Sequence, residues 1–243
     1  MIILRRISLP FPSFLTGWLA LDLGELPTPL LPGRPVAFGT SLAEVTDRAW
    51  ADLAERGLAS GDRLSEAFEG TLRLLATATV RYYAFFHEGA GDTRSALVAG
   101  AALVATVDGD TVTLRPRRGV RGPQALVDEL PSMPKGTGEA LSAPADELSR
   151  APGIVTAVRP TGTAARMRRL LAQPRTGGGQ LYVSRRTADG HHRVCGRPLS
   201  YVDVAGGRYL AVEHEARDGS WWRTLAPADP ALLVQRLRTL LPG

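Results

Sequence analysis

Residues 218–243 read DGSWWRTLAPADPALLVQRLRTLLPG, and residues 108–131 read DGDTVTLRPRRGVRGPQALVDELP. At a fixed offset of 107 positions, Pro123 aligns with Pro230, Leu126 with Leu233, Val127 with Val234 and Leu130 with Leu237. Gly122 and Asp229 stand where an N-cap belongs. Each is followed by proline at the first helical position, where the missing N–H would have had no partner anyway. Both stretches therefore start a helix. The leucines and valines recur at helical spacing, in the second copy through Leu240 and Leu241, with Gln235, Arg236 and Arg238 on the opposite side.

Working outward, an Asp-Gly pair precedes each helix, Asp108-Gly109 and Asp218-Gly219, which is the strongest short-range signal for a hairpin. Upstream of the first pair come TVRYYAFFHEG, DTRSALVAGA and ALVATVDG, and DTVTLRP follows it. The second copy runs GQLYVSRRTADG, HHRVCGRPLSYVDVA, GRYLAVEHEARDG and SWWRTLAP. Four strands and a helix thus occur twice. One such unit cannot cover its own apolar face, so two units pair about a pseudo-two-fold axis. The expected fold is α+β, a central antiparallel β-sheet flanked by helices, in two quasi-two-fold halves. These are residues 1–131 and 132–243 of a single domain spanning 1–243.

Further helices precede each meander. Residues 41–58 open on a Ser41/Glu44 capping box and stop at Gly57, and residues 62–78 place Leu64, Phe68, Leu72 and Leu75 on one face. ADELSRA and TAARMRRLLAQP hold the comparable places in the second half, and the Pro- and Gly-rich LPSMPKGTGEA, residues 130–140, is the crossover.

A chain of 243 residues with 44% hydrophobic content buries roughly 70% or more of its unfolded surface. The single cysteine, Cys195, allows no internal disulfide and points to a reducing compartment. The N-terminal run MIILRRISLPFPSFLTGWLALDLGELP has an arginine pair ahead of apolar residues, but Pro10, Pro12 and Asp22 interrupt it. A soluble cytoplasmic chain is expected, with no direct membrane insertion.

The net charge of +5 is unevenly placed: residues 1–131 carry 13 basic and 15 acidic groups, residues 132–243 carry 16 and 9. Of the 29 basic residues only Lys135 is lysine, an arginine bias that GC-rich coding produces by itself.

Signs of catalysis are sparse. PKGTGE and RTGGGQ lack the spacing of a phosphate-binding loop. Adjacent His191 and His192 would point to opposite faces of a strand and not chelate one metal. Cys195 has no thiolate-activating context, and no G-x-S-x-G elbow is present. Glu213 and Glu215 share one strand face, which reads as solvated. Trp221 and Trp222 alternate across a strand, which puts at least one in the core. Arg166, Arg168 and Arg169 form the basic edge of an otherwise apolar helix, a solvated face or a nucleic-acid contact.

Strand parity singles out another set. With Val202, Val204, Leu210 and Val212 inward, Tyr201, Asp203, Tyr209 and Glu213 turn outward. With Tyr82 and Phe86 inward, Arg81, Tyr83, Phe85 and His87 turn outward, while Tyr182, Ser184 and Arg186 share one side of their strand. Four of the five tyrosines then lie outward. They either pack beneath helices or form a recognition surface.

RRISL with LGELPTPL, then DGDTVTLRP, GGGQLYV, GGRYLAV and the terminal DGSWWRTLAPADPALLVQRLRTLL, taken in order, resemble the EspG family of actinobacterial ESX (type VII) secretion-associated proteins. The resemblance spans almost the whole chain. It implies a cytosolic, substrate-specific chaperone that binds the helical tip of PE/PPE-like or related helical-hairpin secretion substrates, with no catalysis, cofactor or metal. It also implies one quasi-two-fold α/β domain. The family's loop between early strands corresponds to HEGAGD, His87 to Asp92, which is short here. The partner-binding residues expected are therefore Tyr83, Phe85, Tyr182, Arg186, Tyr201 and Tyr209. A basic nucleic-acid-binding module, drawing on the charge of the second half, is the alternative class.

Overall fold

A computed structural model describes residues 1–34, 41–100, 103–117, 119–149 and 162–241. β1 (Ile7–Pro10) leads straight into α1 (Phe11–Ala20), and a 3-10 turn follows at Thr28–Leu30. α2 (Leu42–Glu55) and α3 (Glu66–Thr77) flank a small ribbon of β2 (Ala59–Ser60) and β3 (Arg63–Leu64). The first meander is β4 (Val80–Glu88), β5 (Arg94–Ala99), β6 (Leu103–Asp108) and β7 (Thr111–Pro116), closed by α4 (Gly122–Val127). β8 (Leu141–Pro144), α5 (Ala145–Ser149) and α6 (Thr163–Leu171) come next. The second meander is β9 (Arg175–Arg186), with the short β10 (His192–Val194) folded back on it, then β11 (Leu199–Val204), β12 (Gly207–Glu215) and β13 (Trp221–Pro227), closed by α7 (Pro230–Thr239).

All strands except β2 and β3 belong to one antiparallel sheet, in the order β1-β7-β6-β5-β4-β9-β11-β12-β13-β8, with β10 beside β9. This order has the same form read from either end: an edge strand, a meander, then the seam where β4 meets β9. The halves match even at their edges. β1 and β8 each end in proline and pass directly into a helix, as Ser8-Leu9-Pro10 and Ser142-Ala143-Pro144. The Ser8 hydroxyl meets that of Thr113 at 2.9 Å, and the Ser142 hydroxyl meets that of Thr224 at 2.9 Å.

Apolar patterning fills both faces of the sheet. On one, α4 and α7 pack against each other and over Ala84, Phe86, Leu181, Val183, Leu199 and Leu210. On the other, the first half is closed by Phe14 and Trp18 of α1 and Phe68 and Leu72 of α3, set over Leu97 and Leu114. In the second half α6 covers the outer strands through Met167 over Leu141, Ala143 and Leu225, and Leu170 and Leu171 reach Val202, Val204 and Tyr209 of β11 and β12. The N-terminal apolar run is therefore core, and no helix among the described residues is long and apolar enough to cross a membrane.

The helix signals resolve in detail. Ser41 accepts from the Glu44 N–H, and Gly57 sits at φ +69 where α2 stops. Asp229 accepts from the Leu232 N–H at 2.9 Å. In the first copy the N-cap is Arg121, one residue before Gly122. Gly122 is needed for a different reason: a Cβ there would lie 2.5 Å from the Tyr82 ring.

The crossover is fastened to β12. The Arg208 N–H donates to the Pro134 carbonyl at 2.9 Å and the Gly136 N–H to the Arg208 carbonyl at 3.0 Å. The Arg208 guanidinium binds both carboxylate oxygens of Asp203, at 2.8 and 2.7 Å, and the Pro131 carbonyl at 2.9 Å. Both side chains are buried. Removing one member of a buried pair strands the other charge. Asp203→Ala is expected to lower the unfolding free energy by about 3–5 kcal/mol. Pairing it with Arg208→Met should recover part of that loss, both read from urea unfolding curves.

Candidate interaction surface

Tyr83 on β4 lies directly opposite Tyr182 on β9 at the seam. Their rings stack with centroids 4.8 Å apart and planes 2° from parallel, and Phe85 stands edge-on to both at 6.1 Å. Cross-strand aromatic contacts of this kind contribute about 0.5–1.5 kcal/mol each. All three rings are only partly buried, so they form an aromatic platform with one side open. Burial raises the phenol pKa of Tyr83 and of Tyr182, and for Tyr83 the neighbouring Tyr182 adds to it. The platform is therefore uncharged at neutral pH.

Polar groups surround it. The Tyr182 hydroxyl donates to Gln180 Oε1 at 2.5 Å, and Gln180 reaches the Ser200 hydroxyl at 3.5 Å. A groove of about 890 Å³ runs on from there, lined by Gln180, Ser200, Ala211 and Leu225 among others. Its rim holds Glu213, which accepts from Arg223 at 2.5 and 3.1 Å and from Arg197 at 3.3 Å. The Arg197 guanidinium lies 4.0 Å over the ring of Trp221, itself 39% exposed. An adjoining hollow of about 380 Å³ follows the bare backbone of Gly177, Gly178 and Gly179 beside Phe85 and His87. An aromatic centre with a polar, ion-paired rim has the anatomy of a protein interface.

Four of the six residues expected to bind a partner are placed by this surface: Tyr83, Phe85 and Tyr182 together, and Arg186 exposed at the end of β9. Tyr201 and Tyr209 are not outward; each is 4% exposed. The β11–β12 register pairs Val202 with Tyr209 and Tyr201 with Leu210, so Val202 and Leu210 point to opposite faces, and taking both as inward mixed the two.

Tyr201 belongs to the α4/α7 side. Its ring lies so near Gly179 that a Cβ there would sit 2.9 Å away, and the Arg208 guanidinium is 4.3 Å above it. Burial drives its pKa upward. Tyr209 faces the other side but lies under the crossover, donating to the Thr137 carbonyl at 2.9 Å, with Gly136 against its ring. Neither Trp221 nor Trp222 is a core residue. What marks the two buried tyrosines is a glycine that yields space to each ring: Gly179, the strand partner of Tyr201, and Gly136 of the crossover over Tyr209.

His191 is exposed and His192, on β10, is partly buried. Among the described residues no group of three or more His, Cys, Asp or Glu is placed to hold a metal ion.

A two-fold antiparallel sheet, closed by α4 and α7 on one face and by α1, α3 and α6 on either side of an aromatic seam on the other, defines an α+β protein. Residues 12–239 match the EspG family, and the chain belongs to it. EspG proteins are ESX-associated chaperones, not an enzyme family. Among curated proteins none matches this sequence.

At the margin of the platform the His192 ring meets the Ser184 hydroxyl through Nδ1 at 3.3 Å. Burial, followed by the charges of Arg81 and Arg186, lowers its pKa to about 4 from an ordinary 6.5. Between those values the unfolded chain binds a proton that the folded chain refuses, so stability rises with pH across this window. His192 thus contributes stability that is complete above pH 6.5 and is lost as pH falls toward 4. The urea midpoint of the wild type should drop more steeply across that interval than that of His192→Asn.

Proposed function

We propose that the chain, acting as one unit over residues 1–243, is a cytosolic, substrate-specific chaperone of a type VII (ESX) secretion system. It binds the helical tip of PE/PPE-like secretion substrates on the open sheet face, with Tyr83, Phe85 and Tyr182 at the centre and Arg186 at the margin. The observation that carries this reading is the stacked, half-open aromatic platform on the seam of a family member whose other sheet face is sealed by α4 and α7.

The physical task is specific. An apolar tip exposed in the cytosol is an aggregation hazard, and covering it keeps the substrate soluble until delivery. Release at the membrane requires an interface that is not an obligate one. A small aromatic centre ringed by satisfied ion pairs meets both demands, since the aromatics supply affinity and the rim excludes water without a large apolar area.

Titration calorimetry of the purified chain against candidate PE/PPE pairs tests this. Tyr182→Ala and Phe85→Ala should each weaken the complex at least tenfold while the chain stays folded, its unfolding free energy falling only by the lost ring contacts, about 1–3 kcal/mol. Tyr209→Phe, beneath the crossover, should leave affinity intact. Undiminished binding by the Tyr83→Ala/Tyr182→Ala double variant would refute the placement.

A further inference from the structure

A cavity of about 520 Å³ opens beside the platform, between residues 23–29 and the β9–β10 hairpin, and Tyr83 lines it. Arg81, only 9% exposed, is the most buried charge in its wall. Its Nη2 donates to the Leu75 and Ala76 carbonyls at the end of α3, at 2.7 and 2.8 Å. Its Nε is buried and has no hydrogen-bond partner, and the same holds for Nε2 of His192 across the cavity. Arg186 also lines the space and donates its Nε to the Gly190 carbonyl at 3.1 Å. Among the described residues neither arginine pairs with a carboxylate, and Glu25, the acidic residue in the lining, makes no ion pair with either.

Two guanidinium groups share one space, and the one carboxylate in its lining, Glu25, pairs with neither. A helix C-terminus offers about half a charge, and a buried donor left unmade is costly. The charge of Arg186 also adds to burial in lowering the pKa of Arg81, to about 10. A carboxylate supplies what is missing: a full negative charge beside Arg81, whose Nη2 hydrogens are both committed, and two in-plane acceptors for the outer fork of Arg186.

We propose that this cavity is a carboxylate receptor, taking an Asp or Glu side chain of the bound substrate while the Tyr83–Tyr182 stack holds the apolar residues beside it. The source of the carboxylate rests on the chaperone reading. The affinity of the cavity for a carboxylate does not.

Two measurements separate these. In the first, the full chain is titrated at constant ionic strength with N-acetyl-glutamate methylamide, with its glutamine analogue, and with inorganic phosphate. The Arg81 Nε–H resonance is followed by nitrogen-15 NMR and assigned through Arg81→Lys. A saturable shift with the glutamate probe alone, weakened at least tenfold in Arg186→Gln, is expected. No shift, or equal shifts with both amino-acid probes, overturns the receptor, and preferential binding of phosphate assigns the cavity to free anions instead.

In the second, Arg186→Gln should weaken the complex with a PE/PPE pair about tenfold, and Arg186→Glu should be rescued by reversing one acidic residue on the substrate. An unchanged complex removes the acidic-side-chain assignment and leaves the chaperone reading standing. If the wild-type chain binds no such pair, the chaperone reading fails and the probe titration alone decides the cavity.

Discussion

Nine registered residue pairs between β4 and β9, from Val80 with Arg185 to Glu88 with Gly177, hold the two halves in one sheet. Without this seam each meander would end in a long edge strand with a row of unpaired N–H and C=O groups, a template for aggregation. Joining them leaves only the outer edges. Those are closed by β1 and β8, four residues each, both ending in a proline that cannot donate to a further strand. The repeat in the sequence is thus a way of hiding edges, and the Ser8–Thr113 and Ser142–Thr224 hydroxyl pairs fix the same short strand at both ends of the sheet.

A perfectly symmetric molecule would have no special face. Here α4 and α7 close one side of the seam with equivalent residues, while the opposite side is closed over the first half by α1 and α3 and over the second by the shorter α6, which reaches from β8 to β11 but not to the seam. The open strip therefore lies at the seam, where Tyr83 and Tyr182 meet, and runs along β9 past Gln180 to Ser200 at the start of β11. Glycines 177 to 179 widen it, since a strand without side chains leaves its neighbours uncovered. The same glycines admit Tyr201 on the sealed face. One short run of β9 thus makes room on both sides of the sheet.

Helix entries and hairpins were legible in the sequence because their determinants are local. Asp229, Ser41 and Gly57 act within one turn of themselves, and the two Asp-Gly pairs lie within or beside their hairpins. The faces of the strands were not. Alternation identifies a buried face when only one is buried, and this sheet is packed on both. Val202 and Leu210 look equally inward, yet the pairing of β11 with β12 sends them to opposite sides, taking Tyr201 and Tyr209 into two separate buried sites. On β4 and β9 parity succeeded because Tyr82, Phe86, Leu181 and Val183 all lie on the α4/α7 side, leaving Tyr83, Phe85 and Tyr182 on the other. The buried polar cavity had no sequence signature at all: Arg81 and His192 are more than a hundred residues apart, and only the seam brings their strands side by side.

The basic excess of the second half can be weighed against the same geometry. A nucleic-acid contact needs a stripe of arginines free to meet phosphates. Several basic groups here are already engaged: Arg208 on Asp203, Arg197 and Arg223 together on Glu213, and Lys135 on Asp229. Around the open face Glu213 offsets one of the two arginines it pairs with, and the platform itself is neutral phenol and phenyl. Such a surface gains little from a polyanion. On the proposed reading it would suit a partner that brings apolar residues to the centre and an acidic residue to the corner beside Tyr83, where Arg81 and Arg186 line one cavity without a carboxylate partner. If a helix pair docks there as proposed, a charge at one corner would favour one orientation over its reverse, so that a small aromatic contact area could still discriminate between partners.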